Sequence, residues 1–402
     1  MISCRVCGNP SVRKVLSLGN MPLANGFLKD PHEEEPRFPL ELAFCPRCTM
    51  VQLTEVVPPD LMFRHYVYVT STTKTFQSHF WKLAEDVTQD FRLGKGSTAV
   101  DIGSNDGLLL SGFRTLGLDV IGIEPARNIA ELAEKNGIET VNGFFGKISA
   151  EEVLRRKGKA DVVTATNVFA HVHDLRLFVE CVKMLLSEKG VFIIEVQYLG
   201  DMLEKLTFDN IYHEHLSYFS LTALRRLFSL HGMQVFRAQR VESHGGSIRV
   251  YVQMGGAWKH DGSVNRLLEY ERSLGIADAA TYERFASRVH ATKTRLLLEL
   301  QRFVGKQICG YGAPAKASTL LNFCGIGLET LECVFEDNPL KVGLYMPGTH
   351  IPIVSTGELP VRQPDYVLVL AWNFAEEILA KSVELRKAGT RFIVPLPELR
   401  VF

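Results

Sequence analysis

The chain has no excess of charge: 45 basic residues balance 45 acidic ones over 402 positions, for a formal net charge of zero. That balance argues against the broad basic footprint of a nucleic-acid or membrane-surface binder and leaves room only for local charged pockets. Long apolar runs are missing too. No stretch approaches the roughly 20 residues needed to cross a bilayer, and the opening "MISCRVCGNPSVRK" has no continuous apolar core of the secretory type. These absences predict a cytoplasmic protein with no nucleic-acid partner, no membrane partner and no obligate protein partner. What is present is the balance of a folded protein, 46% hydrophobic and 22% charged. At this length two or three domains are expected.

Half of the eight cysteines come as two CxxC pairs, Cys4/Cys7 and Cys45/Cys48. Each spacing lets one tight turn aim two sulfurs at one ion, and two such turns make a closed tetrahedral zinc site. A four-thiolate shell leaves no open position, so the zinc is expected to be structural. Disulfides are disfavoured in a reducing compartment. Cys181, Cys309, Cys324 and Cys333 lie among apolar residues and read as small buried hydrophobes. Residues 1–60 hold both pairs and many prolines but few periodic apolar segments. This part is expected to bury little core and to need the metal as a staple.

From about residue 75 the pattern changes. "TKTFQSHFWKLAEDVTQDF" has helical spacing. Short apolar runs then alternate with helical segments: "STAVDIG", "DVIGIEP", "IETVNG", "ADVVTATNVFAHV" and "GVFIIEVQY". That alternation predicts βαβ units on a parallel sheet, an α/β fold. Ser149 with Glu152 reads as a capping box, and "SLTALRRLFSLHG" as a helix capped by Ser220. "MQVFRAQRVES" and "GSIRVYVQM" read as a strand pair, plausibly antiparallel, that finishes the sheet. Residues 264–304 read as a helical connector, and a second α/β unit starts near 307.

Two loops look ligand-facing. In "VDIGSNDG" (100–107) Gly103 permits a sharp turn and a close backbone approach. Asp101 and Asp106 would repel a phosphate and suit a cation. Glu124 ends the next strand, where a carboxylate can accept from both ribose hydroxyls. S-adenosylmethionine, an adenosine with a cationic amino-acid tail, meets both demands. Asn105 in the same loop and Asn167 at the end of the fourth strand are further cofactor-side candidates, while His171 and His173 read as structural. The second loop, "GYGAPA" (310–315), matches G-x-G-x-x-A, with Asp337 ending the following strand. Gly312 and Lys316, the latter in the first turn of the next helix, suit a diphosphate better than a nicotinamide cofactor. The acidic pair and the "YHEH" segment make a methyltransferase the leading reading. A dehydrogenase is the weaker reading of the 310–315 loop.

"NIYHEHLSYFS" (210–220) follows the fifth strand, on the edge of the sheet that faces ligand. Carbon methylation needs a base to form an enolate, donors to hold its oxygen, and in-line attack on the methyl sulfonium. Tyr212, Glu214 and His215 supply groups for that work, the carboxylate as a tuner of the histidine.

The motifs "MPLANGFL", "DIGSNDG", "GIEPA", "NVFAHVHD", "EVQYL", "YHEHLSYFS", "SHGGSIRVY", "GYGAPAKASTLLN" and "EDNPLKVGLYMPGTHIPI" together resemble the S-adenosylmethionine-dependent sugar C-methyltransferases of deoxysugar biosynthesis, nearly end to end. The resemblance implies a zinc-binding domain over 1–70, a Rossmann-like methyltransferase core over 71–260, and a helical connector with a Rossmann-like sugar-nucleotide domain over 261–402. It implies methylation of a nucleotide-linked 4-keto-deoxysugar, commonly dTDP-linked, at carbon 3' or 5'. His215 would be the base, with Glu214 beside it, Tyr212 close to the sugar, and His213 turned away. Tyr66 is the favoured N-terminal tyrosine in the active site, with Tyr68 as its alternative. His244 and Tyr198 would face the substrate. An O- or N-methyltransferase and a non-catalytic sugar-nucleotide-binding protein are the alternatives.

Overall fold

The computed structural model describes residues 2–63, 71, 74–243 and 245–402. Tyr66, Tyr68 and His244 lie outside the described residues. Three sheets organise the chain. The N-terminal strands are β1 (Arg13–Pro22), β2 (Arg37–Phe44) and β3 (Val51–Leu53). The central strands are β4 (Thr98–Ile102), β5 (Asp119–Glu124), β6 (Thr140–Asn142), β7 (Ala160–Thr166) and β8 (Leu186–Gln197). Next come β9 (Ser217–Tyr218), β10 (Gln234–Val241) and β11 (Ser247–Gln253). The C-terminal strands are β12 (Ile308–Tyr311), β13 (Val334–Glu336), β14 (Ile353–Ser355), β15 (Tyr366–Val369), β16 (Arg391–Val394) and β17 (Arg400–Val401).

The central sheet runs β10-β11-β8-β7-β4-β5-β6. Strands β4 to β8 pair in parallel, and β11 enters antiparallel to both of its neighbours. Every residue of β4 and β11 is buried, as expected for strands in the middle of a sheet covered on both faces. The strand order reverses at β4, so the crevice beyond its carboxyl end is the natural ligand site. The C-terminal sheet, β14-β13-β12-β15-β16-β17, repeats this logic with its reversal at β12.

The N-terminal part does more than the sequence suggests. Period-two burial puts Leu16 and Leu18 of β1 inward, and Leu40, Leu42, Phe44, Val51 and Leu53 join them. This face packs on the connector helix Ala279–Gln301, with the Phe44 and Tyr282 rings 4.6 Å apart. The expectation of little core in residues 1–60 therefore fails, because the core is shared with a distant part of the chain. The sheet also takes β9 as its fourth strand, antiparallel to β3.

Ser149 is a further correction. The helix Lys147–Lys157 begins two residues before it, and its hydroxyl caps by accepting from the Gly146 amide at 2.9 Å. Ser220 accepts from the Ala223 amide at 3.1 Å, the expected N-cap. The four scattered cysteines are buried, as their apolar surroundings predict. Among the described residues no helix is long and apolar enough to cross a membrane.

Cys4, Cys7, Cys45 and Cys48 bring all four sulfurs within 4.8 Å of one another. Cys4–Cys48 and Cys7–Cys45 are 3.3 and 3.7 Å apart, close to the about 3.8 Å edge of a zinc–thiolate tetrahedron with about 2.3 Å bonds. Without a metal, the shared contact lowers Cys4 and raises Cys48, so one proton serves the pair. Cys48→Ser should lower the melting temperature and cut turnover about tenfold or more, with S-adenosylmethionine affinity changed less than about threefold. Calorimetry alongside a turnover assay checks this. Equal loss of binding and turnover would contradict it.

Candidate active site

A cavity of about 580 Å³ opens at the switch point of the central sheet and reaches both flanking domains. Its first wall is the cofactor-type loop: Asp101, Gly103, Asn105 and Glu124 line it, with Asn167 opposite. Gly103 has φ +67°, and a Cβ there would sit 2.3 Å from a Val168 methyl, so no other residue fits. Asn105 and Asn167 also adopt left-handed backbone, which asparagine tolerates.

The electrostatics of this wall suit a cation. Asp101 is buried, with Thr164 Oγ1 donating at 2.6 Å. Burial outweighs that bond and pushes the carboxyl up to about 7, helped by nearby Glu124. Glu124 is also raised by burial, although it accepts from the Asn105 and Ala126 amides at 3.0 and 2.9 Å. Among the described residues neither has a cationic partner.

Glu195 on β8, two strands from Asp101, shows the contrast. It too is buried, but His79 at 2.8 Å and Arg249 at 2.7 Å outweigh burial and hold it down at about 2. Asp101 and Glu124 thus form a buried acidic pair in the cavity wall, a charge pattern that suits a cationic ligand. Asp106 departs from expectation. Its Oδ2 accepts from the Ser71 amide at 3.2 Å, and its side chain does not line the cavity.

The second wall is the 210–220 segment, contributing Asn210, Tyr212, Glu214 and His215. Both ring nitrogens of His215 are engaged. Nδ1 lies 2.9 Å from the Asn210 carbonyl, which can only accept, so Nδ1 carries the proton. Nε2 is then the acceptor, with the Tyr212 hydroxyl donating at 2.9 Å. Glu214 takes a different partner from the one its place in the sequence suggests, accepting from Asn25 Nδ2 at 2.6 Å. The ring is oriented by a carbonyl and a phenol. His171, expected to be structural, stacks on His215 at 5.2 Å in the cavity wall. Burial and the neighbouring His215 keep its pKa well below the ordinary histidine value. His213 is buried edge-on against Phe38, away from the cavity.

The third wall comes from the C-terminal domain. Lys316 and Lys341 both line the cavity beside Pro314 and Asn373. Burial lowers Lys316 to about 8 and also lowers Lys341. Lys341 donates to the Ala313 carbonyl at 2.9 Å and lies over the Phe27 ring.

Two expected substrate residues fall elsewhere. Tyr198 is fully buried and donates to Glu271 of the connector at 3.0 Å, so it ties the core to the connector. Gly312, at φ +86°, is needed because a Cβ would meet Ala371 at 2.5 Å; its role is packing. Glu336, which ends β13, also turns to the G-x-G loop, accepting from the Ala313 amide at 2.7 Å, while Asp337 faces Tyr311. Asn25 and Lys341 were not singled out from sequence. Only their presence in "MPLANGFL" and "EDNPLKVGLYM" marked them.

The buried carboxylates make cofactor binding pH-dependent. Asp101's folded value lies above its ordinary one, so its charging increasingly opposes the empty fold from about pH 4 to about 7. A bound cation favours the charged form. S-adenosylmethionine affinity should therefore rise as pH climbs through about 7 and then level off. Asp101→Asn should weaken binding and flatten that profile. Calorimetric titration at several pH values checks both, and a flat wild-type profile would contradict the assignment.

Three family models match in succession: a zinc binding domain over residues 4–63, a methyltransferase domain over 76–238, and a C-methyltransferase C-terminal domain over 242–397. The C-methyltransferase NovU of Streptomyces niveus is 40% identical over 405 aligned positions, covering 99% of this chain and 96% of that protein. A ubiquinone biosynthesis O-methyltransferase of Pelagibacter ubique is 27% identical over 28% of this chain and 49% of its own length. Among solved structures, an S-adenosylmethionine-dependent methyltransferase from Clostridium acetobutylicum aligns at 13% identity and TM-score 0.36, over 45% of this chain and 92% of that one. The full-length identity and the unbroken run of three family models show that the chain belongs to the S-adenosylmethionine-dependent C-methyltransferases.

Proposed function

We propose that the enzyme methylates carbon 3' or 5', beside the keto group of a nucleotide-linked 4-keto-deoxysugar, in deoxysugar biosynthesis. The observation that carries this reading is one continuous cavity with three chemical zones. Its walls carry the buried carboxylates Asp101 and Glu124, the Tyr212–His215 pair, and the lysines Lys316 and Lys341. A cationic methyl donor, an acidic C–H bond and an anionic diphosphate need those three chemistries in one cavity. dTDP is the expected nucleotide carrier.

Asp101 and Glu124 would hold the donor, with Gly103, Asn105 and Asn167 shaping its backbone cradle. S-adenosylmethionine supplies an electrophilic methyl group on a sulfonium. His215 Nε2 takes the proton from the carbon beside the keto group, and the C–H electron pair moves to the keto oxygen as an enolate. Once Nε2 is filled, the Tyr212 hydroxyl is free to donate to that oxygen. The enolate carbon would then bond to the methyl as the methyl–sulfur bond breaks, its electron pair staying on sulfur and the neutral thioether leaving. Nδ1 stays on the Asn210 carbonyl throughout, so the imidazolium is held in place. Glu214 and Asn25 would face the sugar, and Lys316 and Lys341 would meet the diphosphate.

Incubation with a panel of nucleotide-linked 4-keto-deoxysugars should give a product with a new carbon-bound methyl by NMR and mass analysis. A methyl ether or amine would contradict the reading. His215→Asn and Tyr212→Phe should each lower turnover by about a hundredfold or more, the usual share of a base and its partner. Wild-type turnover in both would overturn their roles.

A further inference from the structure

One buried ionic cluster at the cavity reaches beyond the diphosphate contact proposed for Lys316. Asp209 is the middle residue of the single turn Phe208–Asn210 and has no exposed surface. Its Oδ2 accepts from the Trp372 indole N–H at 2.5 Å. Its Oδ1 has no hydrogen-bond partner among the described residues. The Lys316 ammonium sits 4.2 Å from the centroid of the Trp372 ring. Lys316 and Asp209 also act on each other by charge: burial raises Asp209 to about 6, and Lys316 is the first group to oppose that. Lys316 and Trp372 both come from the C-terminal domain. The helix that carries Lys316, Ala315–Cys324, also carries Thr319, whose hydroxyl donates to the Ile211 carbonyl at 2.9 Å.

The C-terminal domain thus holds the residue before Asn210 and the residue after it. Between those two grips lies the carbonyl that accepts the proton of His215 Nδ1. We propose that Asp209, Trp372, Lys316 and Thr319 are positioning residues through which the C-terminal domain aims the Asn210 carbonyl at His215 Nδ1 and so keeps the basic lone pair on Nε2. The inference rests on the reading of His215 as the base.

The physical reason is the small margin between tautomers. One net hydrogen bond is worth about 1 kcal/mol, which shifts a tautomer ratio by only about fivefold, so the carbonyl must be aimed well to matter. A turn of three residues cannot aim itself. Asp209 is costly to bury without full pairing, and its retention there fits a positioning role better than a packing one. The carbonyl is aimed from outside the methyltransferase core, which couples the base to the docking of the C-terminal domain.

Thr319→Val and Asp209→Asn test this in the full-length, zinc-loaded enzyme. Among the described residues, the titratable groups around His215 include His171, Tyr212, Glu214 and Tyr218 at 6.4 Å. Those facing Asp209 are Lys316 and the Cys324 thiol. Thr319→Val alters none of them. The readouts are the kcat–pH profile and the imidazole 15N signals of His215, assigned by difference with His215→Asn. Both variants should lower kcat about tenfold or more, shift the acidic limb of the profile, and move the 15N signals away from the Nδ1–H pattern, with KM for the methyl donor within about twofold. An unchanged limb and an unchanged 15N pattern in both variants overturn the proposal, even if turnover has fallen. If Asp209→Asn fails to fold, Thr319→Val decides alone by the same readouts. Full activity in His215→Asn would instead sink the base assignment, so the two failures are distinguishable.

Discussion

The structure depends on one stretch of backbone shared by three domains. Residues 210–220 leave the central sheet, yet β9 pairs with β3 of the zinc-stapled sheet, and the Leu53 amide donates to the Leu216 carbonyl at 3.0 Å. On the other side the Leu199 amide donates to the Phe219 carbonyl at 2.9 Å, tying the segment to the end of β8. Thr319 holds the Ile211 carbonyl from the C-terminal domain. Backbone bonds of this kind fix orientation as well as position, which a polar loop of two histidines, two tyrosines and a glutamate could not do alone. Zinc on the four cysteines would act on the site through the sheet that β9 joins, by stabilising it.

Charge follows the same division of labour. A chain with zero net charge brings both signs into the walls of one cavity. Asp101 and Glu124 are destabilised by burial to a degree that matters. A carboxyl pushed up to about 7 has lost on the order of 4 kcal/mol of preference for its charged form, at about 1.4 kcal/mol per pKa unit. Glu195 shows that the same fold can cancel such a penalty with an arginine and a histidine when no ligand is meant to enter. Among the described residues Asp101 has no such partner, which is why the proposed function assigns it to a cationic ligand.

Much of this was legible in sequence where the signal is local. The alternation of strands and helices, both CxxC pairs, the Asp101/Glu124 pair and the Ser220 cap depend on near neighbours, and each has its expected place. His215 and Tyr212 likewise meet at three-residue spacing. What was not legible depends on distant partners. β9 is two residues long and exists only because β3 is beside it. Tyr198 looks like a substrate residue until Glu271, 73 positions away, takes its hydroxyl. Glu214 looks like the histidine's partner until Asn25 arrives from the N-terminal domain. Gly312 fits a phosphate-loop pattern, but the pattern cannot say that Ala371 fills the space above it.

The central claim is that His215, its proton fixed on Nδ1, removes a proton from carbon beside a keto group. Incubating the sugar nucleotide with enzyme in deuterated water, without methyl donor, isolates that step from methyl transfer. The account predicts deuterium at the carbon beside the keto group with wild-type enzyme, and almost none with His215→Asn. Equal incorporation by both, above the rate without enzyme, would contradict it.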